Sequence, residues 1–207
     1  MPTSLPRSVL IVLAIATIVW CSPLAGQWRV GTEVGSTRFW GASRDTGGDQ
    51  TSFRPYRPTT FGIGLERQTG RYAAGLQVHY AEASLALEGP EAIISVEGAF
   101  TILSISPEVA VRVATLGSGN QLRLHAGPLF EIWGIIDEGK RTRVGAQGSV
   151  SLDVPLGGRF GGAVLASAAV TPSPYKEGEL DLGGGAPTYD LRTLWRRSFA
   201  LGLRYRL

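Results

Sequence analysis

Apolar and polar residues alternate with a period of two along most of the chain after residue 27. The clearest run lies between Tyr72 and Tyr80, where every even-numbered position is apolar and the odd-numbered positions include Gln77 and His79. Seven other segments follow the same period: residues 28–36, 61–66, 103–113, 122–132, 144–154, 160–170 and 198–207. Such alternation is typical of strands with one apolar face, so the pattern predicts eight β-strands.

The connections between these segments alternate in length. Residues 41–58, 81–99, 135–143 and 172–193 form long connections, and residues 68–70, 114–120 and 156–158 form shorter ones. Membrane barrels built from hairpins have short turns on the periplasmic side and long loops outside. The sequence therefore predicts an all-β fold, an eight-stranded antiparallel up-and-down transmembrane β-barrel whose two termini are periplasmic.

Two details modify this simple pattern. Residues 85–87 and 93–96 flank a charged, proline-containing turn, so the second long connection is expected to extend the barrel as a projecting hairpin. Pro107 and Pro128 fall inside predicted strands, and neither has an N–H to donate to a neighbouring strand. A bulge or a local break in the strand pairing is expected at each proline.

The first 26 residues have the layout of a secretory signal. Arg7 supplies the charged start, residues 9–20 form an apolar or small run, and residues 22–26 supply breakers and small residues. The run is shorter than the roughly 20 apolar residues that a spanning helix needs. We expect cleavage after Gly26, with Ala25 as the close alternative, so that residues 1–26 are the signal peptide and residues 27–207 the barrel. Trp20 argues against lipidation of Cys21, because a small residue precedes a lipidated cysteine.

Composition excludes several classes of function. Only 18% of the residues are charged, and 18 of the 20 basic residues are arginine. A net charge of +3 without a basic run does not fit a nucleic-acid-binding protein. One cysteine and two histidines cannot build a disulfide scaffold or a zinc cluster.

The polar faces of the strands carry arginine and acidic residues but no lysine, which favours a paired barrel interior over a solvated surface. The interior of an eight-stranded barrel is just wide enough to be filled by side chains. Aromatic residues near strand ends fit the interfacial girdles of membrane barrels. We therefore predict an interior charge network of Glu33, Glu66, Glu108, Arg112, Arg123, Glu131, Asp153 and Arg204. Within it, Glu108, Arg112, Arg123 and Glu131 are expected to pair across two adjacent strands. A soluble lipocalin-like barrel with its apolar face inside is the alternative.

The closing residues carry a family resemblance. Phe199, Leu201, Leu203, Tyr205 and Leu207 alternate with polar or small residues, which resembles the C-terminal assembly signal of bacterial outer-membrane barrels. Most members end in Phe, whereas this chain ends in Leu207. Residues 105–113 and 122–130 also resemble paired middle strands of the small outer-membrane protein β-barrel domain family, similar to PorT-type and OmpX/OmpA-type barrels. The resemblance implies a monomer in contact with the lipid bilayer, lipopolysaccharide and the outer-membrane assembly machinery, with no nucleic-acid partner.

Candidate chemistry is sparse. His79 and His125 lie on the predicted inward face near acidic residues, but two histidines on separate strands without ligand spacing indicate interior packing more than a metal site or proton relay. Barrels of the lipid-deacylating type have a serine two residues after the histidine, and this chain has Ala81 and Gly127 there. We expect no catalytic residue, metal or cofactor. The predicted role is structural or recognition by the outer loops, with a small-solute channel and, less favoured, a soluble lipocalin-like carrier as alternatives.

Overall fold

A computed structural model describes residues 27–45, 52–88, 93–136, 139–175 and 189–207. For residues 42–45, 52–54, 86–88, 93–97 and 189–191 it describes the backbone only. The expected signal peptide and its cleavage site lie outside the described residues.

The described chain forms a closed antiparallel barrel. Eight strands make the ring, which runs β1, β3, β4, β5, β6, β7, β8 and β9 and closes between β9 and β1. A short additional strand, β2, pairs with the end of β4. This confirms the predicted eight-stranded barrel. The strand bounds are Gln27–Asp45 (β1), Ser52–Tyr56 (β2), Thr59–Thr69 (β3), Tyr72–Glu88 (β4), Ile93–Leu116 (β5), Asn120–Ile135 (β6), Gly139–Gly157 (β7), Phe160–Thr171 (β8) and Tyr189–Arg206 (β9).

The helical structure among the described residues is one 3₁₀ turn, Gly117–Gly119, which joins β5 to β6. No helix in the described part of the chain is long and apolar enough to cross a membrane, a finding that concerns helices alone.

The terminal strands β1 and β9 pair with each other and close the barrel. Val30 lies opposite Tyr205, and Ser36 lies opposite Phe199. Beyond a register shift after Gly41, the same pair continues until Asp45 faces Tyr189. Neither edge of the sheet is left open along this seam, as a membrane barrel requires.

The strands extend further at the long-loop end than the alternation predicts. β4 and β5 stay paired until Glu88 faces Ile93, which confirms the projecting hairpin. The predicted loop 135–143 is shorter in the structure, because β6 continues to Ile135 and β7 begins at Gly139. Inward apolar side chains continue into this region and pack against one another, so strand pairing is supported beyond the membrane-spanning part.

The two faces of the wall differ as expected for a barrel in lipid. Outward side chains are apolar and exposed, with Phe199 at 69%, Leu201 at 64% and Ile63 at 62% of full exposure. Inward polar side chains are buried, including Ser106 at 0% and Glu131 at 1%. The apolar face therefore does not line a cavity, as the lipocalin-like alternative would require.

Pro107 and Pro128 interrupt one seam of the wall. Pairing of β5 with β6 stops at Ile105 and resumes at Val109 in the same register, so the structure has a local break without a bulge. The hydroxyl of Ser106 donates to the carbonyl oxygen of Pro128 at 2.8 Å. The two prolines face each other across the seam. Because neither has a backbone N–H to donate, the strand pairing is lost at this one place.

Candidate functional site

A charged cluster crosses the lumen near the short-turn end. Arg123 on β6 is 1% exposed, and its Nη1 and Nη2 donate to the two carboxylate oxygens of Glu66 on β3 at 2.9 and 2.7 Å. Asp153 on β7 lies 3.4 Å from Arg123, 2.9 Å from Arg204 on β9 and 3.6 Å from Arg29 on β1. Paired charges on five strands tie opposite sides of the barrel together, with the bidentate geometry that favours arginine over lysine.

Two histidine–carboxylate pairs lie further along the lumen. Nε2 of His79 is 2.5 Å from Oε1 of Glu33, and Nδ1 of His125 is 3.5 Å from Oε2 of Glu108. The amide of Gln147 also donates to Glu108. These groups line a cavity of about 50 Å³ together with small residues. That volume accommodates only a few water molecules, at roughly 10 to 15 Å³ for each.

Glu131 accepts several hydrogen bonds in the lumen, between the histidine pairs and the long-loop end. Its side chain is 1% exposed and accepts hydrogen bonds from Arg196 Nη1 at 2.7 Å and from the indole N–H of Trp133 at 3.0 Å. The hydroxyl of Thr171 lies 3.3 Å from the same carboxylate. A buried carboxylate is tolerated here because a guanidinium and neutral donors, which include the more distant hydroxyl of Ser104 at 3.5 Å, surround it.

An apolar cluster, which we call the aromatic plug, fills the lumen at the long-loop end. The ring of Trp133 is 0% exposed and meets Phe39 and Phe100 edge-on, at centroid distances of 5.9 and 6.0 Å. Tyr175 packs against Phe100 at 6.2 Å. Such edge-to-face contacts are favourable for aromatic rings. The remaining buried members are Ala81, Ala83, Ala99, Ile102 and Leu194.

Two arginines of β7 hold the segment after β8 against this plug. Arg141 donates to the carbonyl oxygen of Pro174 at 2.9 Å, and Arg143 donates to that of Ser173 at 2.6 Å. The segment thereby places Tyr175 inside the barrel mouth.

Ser151, His125 and Glu108 are arranged in sequence like the nucleophile, base and acid of a catalytic triad. Nε2 of His125 is 2.9 Å from the hydroxyl of Ser151, and its Nδ1 faces Glu108. Catalysis also needs access for a substrate to the nucleophile. Ser151 is 0% exposed and does not line the cavity beside His125. The three side chains therefore form a buried polar chain in the barrel interior. The spacing of serine and histidine along the sequence does not reveal this arrangement, because Ser151 lies on the strand next to that of His125.

The structure distributes the predicted network over several clusters. Glu66, Arg123, Asp153 and Arg204 share one cluster, and the other predicted carboxylates pair elsewhere: Glu33 with His79, Glu108 with His125, and Glu131 with Arg196. Arg112 has no ion pair among the described residues. The expected pairing among Glu108, Arg112, Arg123 and Glu131 is replaced, because Arg112 lies directly opposite Arg123 and two cations repel.

The predicted charge network leaves out two arginines that the structure places in it. Arg29 contacts Asp153, and Arg196 contacts Glu131. Arg196 precedes the predicted start of the last strand, at residue 198. It nevertheless lies an even number of residues from Ser198 and Ala200 and therefore faces inward as they do. Extending the period of two upward would have found it.

The residues of the predicted assembly signal lie at the closing seam. Four of them face outward on β9, and Leu207 follows that strand with its N–H donating to the carbonyl oxygen of Trp28 at 3.0 Å. The rings of Tyr205 and Phe160 are 5.0 Å apart. Among the described residues no group of three or more histidine, cysteine or acidic side chains could hold a metal ion.

No protein-family model and no curated protein sequence matches the chain. Solved structures do match it. Neisserial surface protein A is 9% identical, with a TM-score of 0.56 over 87% of this chain and 97% of that one. The outer membrane protein OprG from Pseudomonas aeruginosa is 12% identical, with a TM-score of 0.57 over 88% and 96%. The outer membrane protein AlkL, solved in lipid bilayers, is 12% identical, with a TM-score of 0.51 over 88% and 90%.

Identities this low establish the fold and nothing finer. The chain has the fold of the small bacterial outer-membrane β-barrels, the group that its alternating strands and closing residues resemble.

Proposed function

We propose that residues 27–207 form a sealed, non-enzymatic barrel of the bacterial outer membrane, with a structural or recognition role at its long-loop end. In this proposal residues 1–26 direct export and are removed. The outward apolar wall supports insertion in lipid, and the shared fold supports the outer membrane as its location. The protein acts as a monomer, without a metal or cofactor.

The filled lumen is the observation that carries this proposal. The aromatic plug occupies the long-loop end, and Arg123 with its carboxylate partners spans the short-turn end. Between them lies a cavity of about 50 Å³, which is small beside the 300 to 1,000 Å³ of ordinary ligand pockets. A solute would have to displace buried ion pairs, and leaving a buried charge unpaired is costly.

Recognition is assigned to the long-loop end. In the proposed orientation both termini are periplasmic and the long connections face outside, as in other membrane barrels. The first of these connections carries Arg44, Arg54 and Arg57 against Asp45 and Asp49, with Phe53 and Tyr56 among them, a charged and aromatic composition suited to binding a partner. Lipopolysaccharide surrounds the wall on that side. The assembly machinery reads the closing residues Phe199, Leu201, Leu203, Tyr205 and Leu207.

Electrical recording in planar bilayers tests the seal. The purified barrel should first be shown to migrate differently on gels before and after boiling, which establishes that it is folded. We expect it to give no stepwise conductance when a large porin, reconstituted in parallel, gives clear steps. Detergent without protein serves as the blank. Reproducible steps from the folded wild-type barrel would overturn the sealed lumen and favour the small-solute channel.

A further inference from the structure

A shallow apolar groove, which we call the wall groove, crosses the outer surface of β5 to β9. Its floor is a row of small residues in which Ala126, Gly148 and Ala168 lie opposite one another on neighbouring strands. Larger side chains, including Val109 and Phe199, form its borders. The groove has a volume of about 800 Å³ and an almost wholly apolar lining.

The wall groove ends at an unusual pair of cations. The same row of partners continues from Ala168 to Arg197 on β9 and then to Arg38 on β1. Both arginines are exposed on the outer surface, and no acidic side chain among the described residues contacts either of them. Like charges directly opposite on adjacent strands are destabilising. An anion between them would remove this repulsion.

Neighbouring aromatic residues place the cations at the border of the membrane. Trp40 and Trp195 lie opposite each other beyond Arg38 and Arg197 and stack at 6.5 Å. The guanidinium of Arg197 lies 4.6 Å from the ring of Trp40. Tryptophan favours the interface between lipid and water. Trp28 and Arg38 lie ten residues apart on β1. At a rise of about 3.3 Å per residue and a strand tilt of about 40°, their separation along the barrel axis is about 25 Å. This distance equals the height of the apolar band of a membrane barrel.

We propose that the wall groove with Arg38 and Arg197 is a seat for one phosphorylated lipid of the leaflet at the long-loop end. This rests on the proposed function, because that leaflet is the outer, lipopolysaccharide-bearing one only in the proposed orientation. The phosphate lies between the two guanidinium groups, which bind phosphate oxygens in the bidentate manner of arginine. An acyl chain lies along Ala168, Gly148 and Ala126. Four strand spacings of about 4.8 Å separate Arg197 from Val109, about 19 Å, which suits an extended acyl chain.

Binding of lipid A to the folded barrel tests the seat. The protein is held in a non-ionic detergent, lipid A with both phosphates is added, and native mass spectrometry measures the bound fraction. Wild type should bind one lipid A, and the double variant Arg38→Ala with Arg197→Ala should bind at least tenfold more weakly. Lipid A from which both phosphates have been removed should show the same loss on wild type.

A second variant tests the groove without changing charge. A Cβ at Gly148 would lie 3.6 Å from its nearest neighbour, the His125 carbonyl oxygen, so Gly148→Val is accommodated in the strand and fills the groove. It should also lower lipid A binding at least tenfold. Arg159→Ala, which removes an exposed arginine from the turn between β7 and β8 at the opposite end of the barrel, is the matched control and should bind as wild type.

Several outcomes would overturn the seat. Unchanged binding by the double arginine variant would remove the phosphate contact, and equal binding of dephosphorylated lipid would leave an unselective apolar surface. A dimer of wild type that Gly148→Val abolishes would make the groove a contact between two copies of the chain. Each variant is also checked for membrane location and for the gel shift on boiling. Failure of those checks in wild type would contradict the proposed function itself, whereas failure of lipid binding alone would not.

Discussion

Arginine, not lysine, neutralises the carboxylates inside the barrel. Its planar guanidinium offers five donors in a fixed fork, so one side chain can satisfy both oxygens of a carboxylate and reach a second acid. Arg123 does this with Glu66 and Asp153. Arg112 lies directly opposite Arg123 on β5 and has no ion pair among the described residues, so it neutralises no carboxylate there.

This difference predicts unequal effects of two similar substitutions. Arg123→Ala leaves Glu66 and Asp153 with only Arg29 and Arg204 as cations, so part of a buried charge loses its partner. We expect a loss of about 3 kcal/mol in the free energy of unfolding, at the lower end of the range for breaking a buried pair. Denaturant titration of the refolded barrel in detergent, followed by the gel shift on boiling, measures it.

Arg112→Ala is the matched control, because it removes the same side chain from the facing position of the adjacent strand. It should cost about 1 kcal/mol or less, as is usual for substitutions that break no buried pair. Equal losses for the two variants would mean that the cluster around Arg123 does not stabilise the barrel.

At the scale of the strand, the period of two predicted the eight barrel strands. It could not predict where pairing stops beyond the membrane, because that depends on packing between side chains of distant strands. Trp133, Phe39 and Phe100 come from three strands and meet only in the closed barrel. The ion pairs were missed for the same reason: the sequence identifies inward charges, whereas partners such as Glu66 and Arg123 lie on strands that are not adjacent.

The last strand gives a prediction about assembly. In our proposal its outward residues are read during insertion, and its pairing with β1 closes the ring of eight strands. Deleting Leu207, or combining Leu203→Asp with Tyr205→Asp, should leave export intact but block insertion. Cell fractionation should then find unassembled chains in the periplasm, where they are degraded.

An acidic residue at a lipid-facing position is itself costly, most of all near the bilayer midplane. Leu116→Asp provides the control, since Leu116 is an exposed apolar residue at the short-turn end and lies outside the closing seam. It should insert normally. If the Leu207 deletion and the double aspartate variant also reach the membrane in normal amounts, β9 is not what the machinery reads.

At the scale of the whole molecule, the wall is apolar outside, and its strands pair around a closed ring apart from the local break at Pro107 and Pro128. A closed barrel of this kind resists unfolding at room temperature, because opening it would expose unpaired backbone groups to lipid. Membranes should therefore contain a species that lacks residues 1–26 and whose mobility on detergent gels changes on boiling. Mass spectrometry of the purified protein locates the cleavage after Gly26 or Ala25.

A chain with Leu13→Arg and Ile15→Arg, which interrupts the apolar run of the signal, should stay uncleaved in the cytoplasm. The opposite result for wild type, an unboiled protein recovered in the soluble periplasm, would contradict a membrane barrel.

Because nearly all of its basic residues are arginine, the protein has few side-chain amines. Of its two lysines, Lys140 is exposed at the start of β7 at the long-loop end, and Lys176 falls between β8 and β9 in sequence, outside the described residues. The lipid-facing wall and the lumen contain guanidinium groups, which amine reagents leave unmodified. Among the described residues, side-chain amine chemistry is therefore confined to Lys140 at the long-loop end, and modification of that lysine by a reagent that cannot cross membranes reports which side of the envelope this end faces.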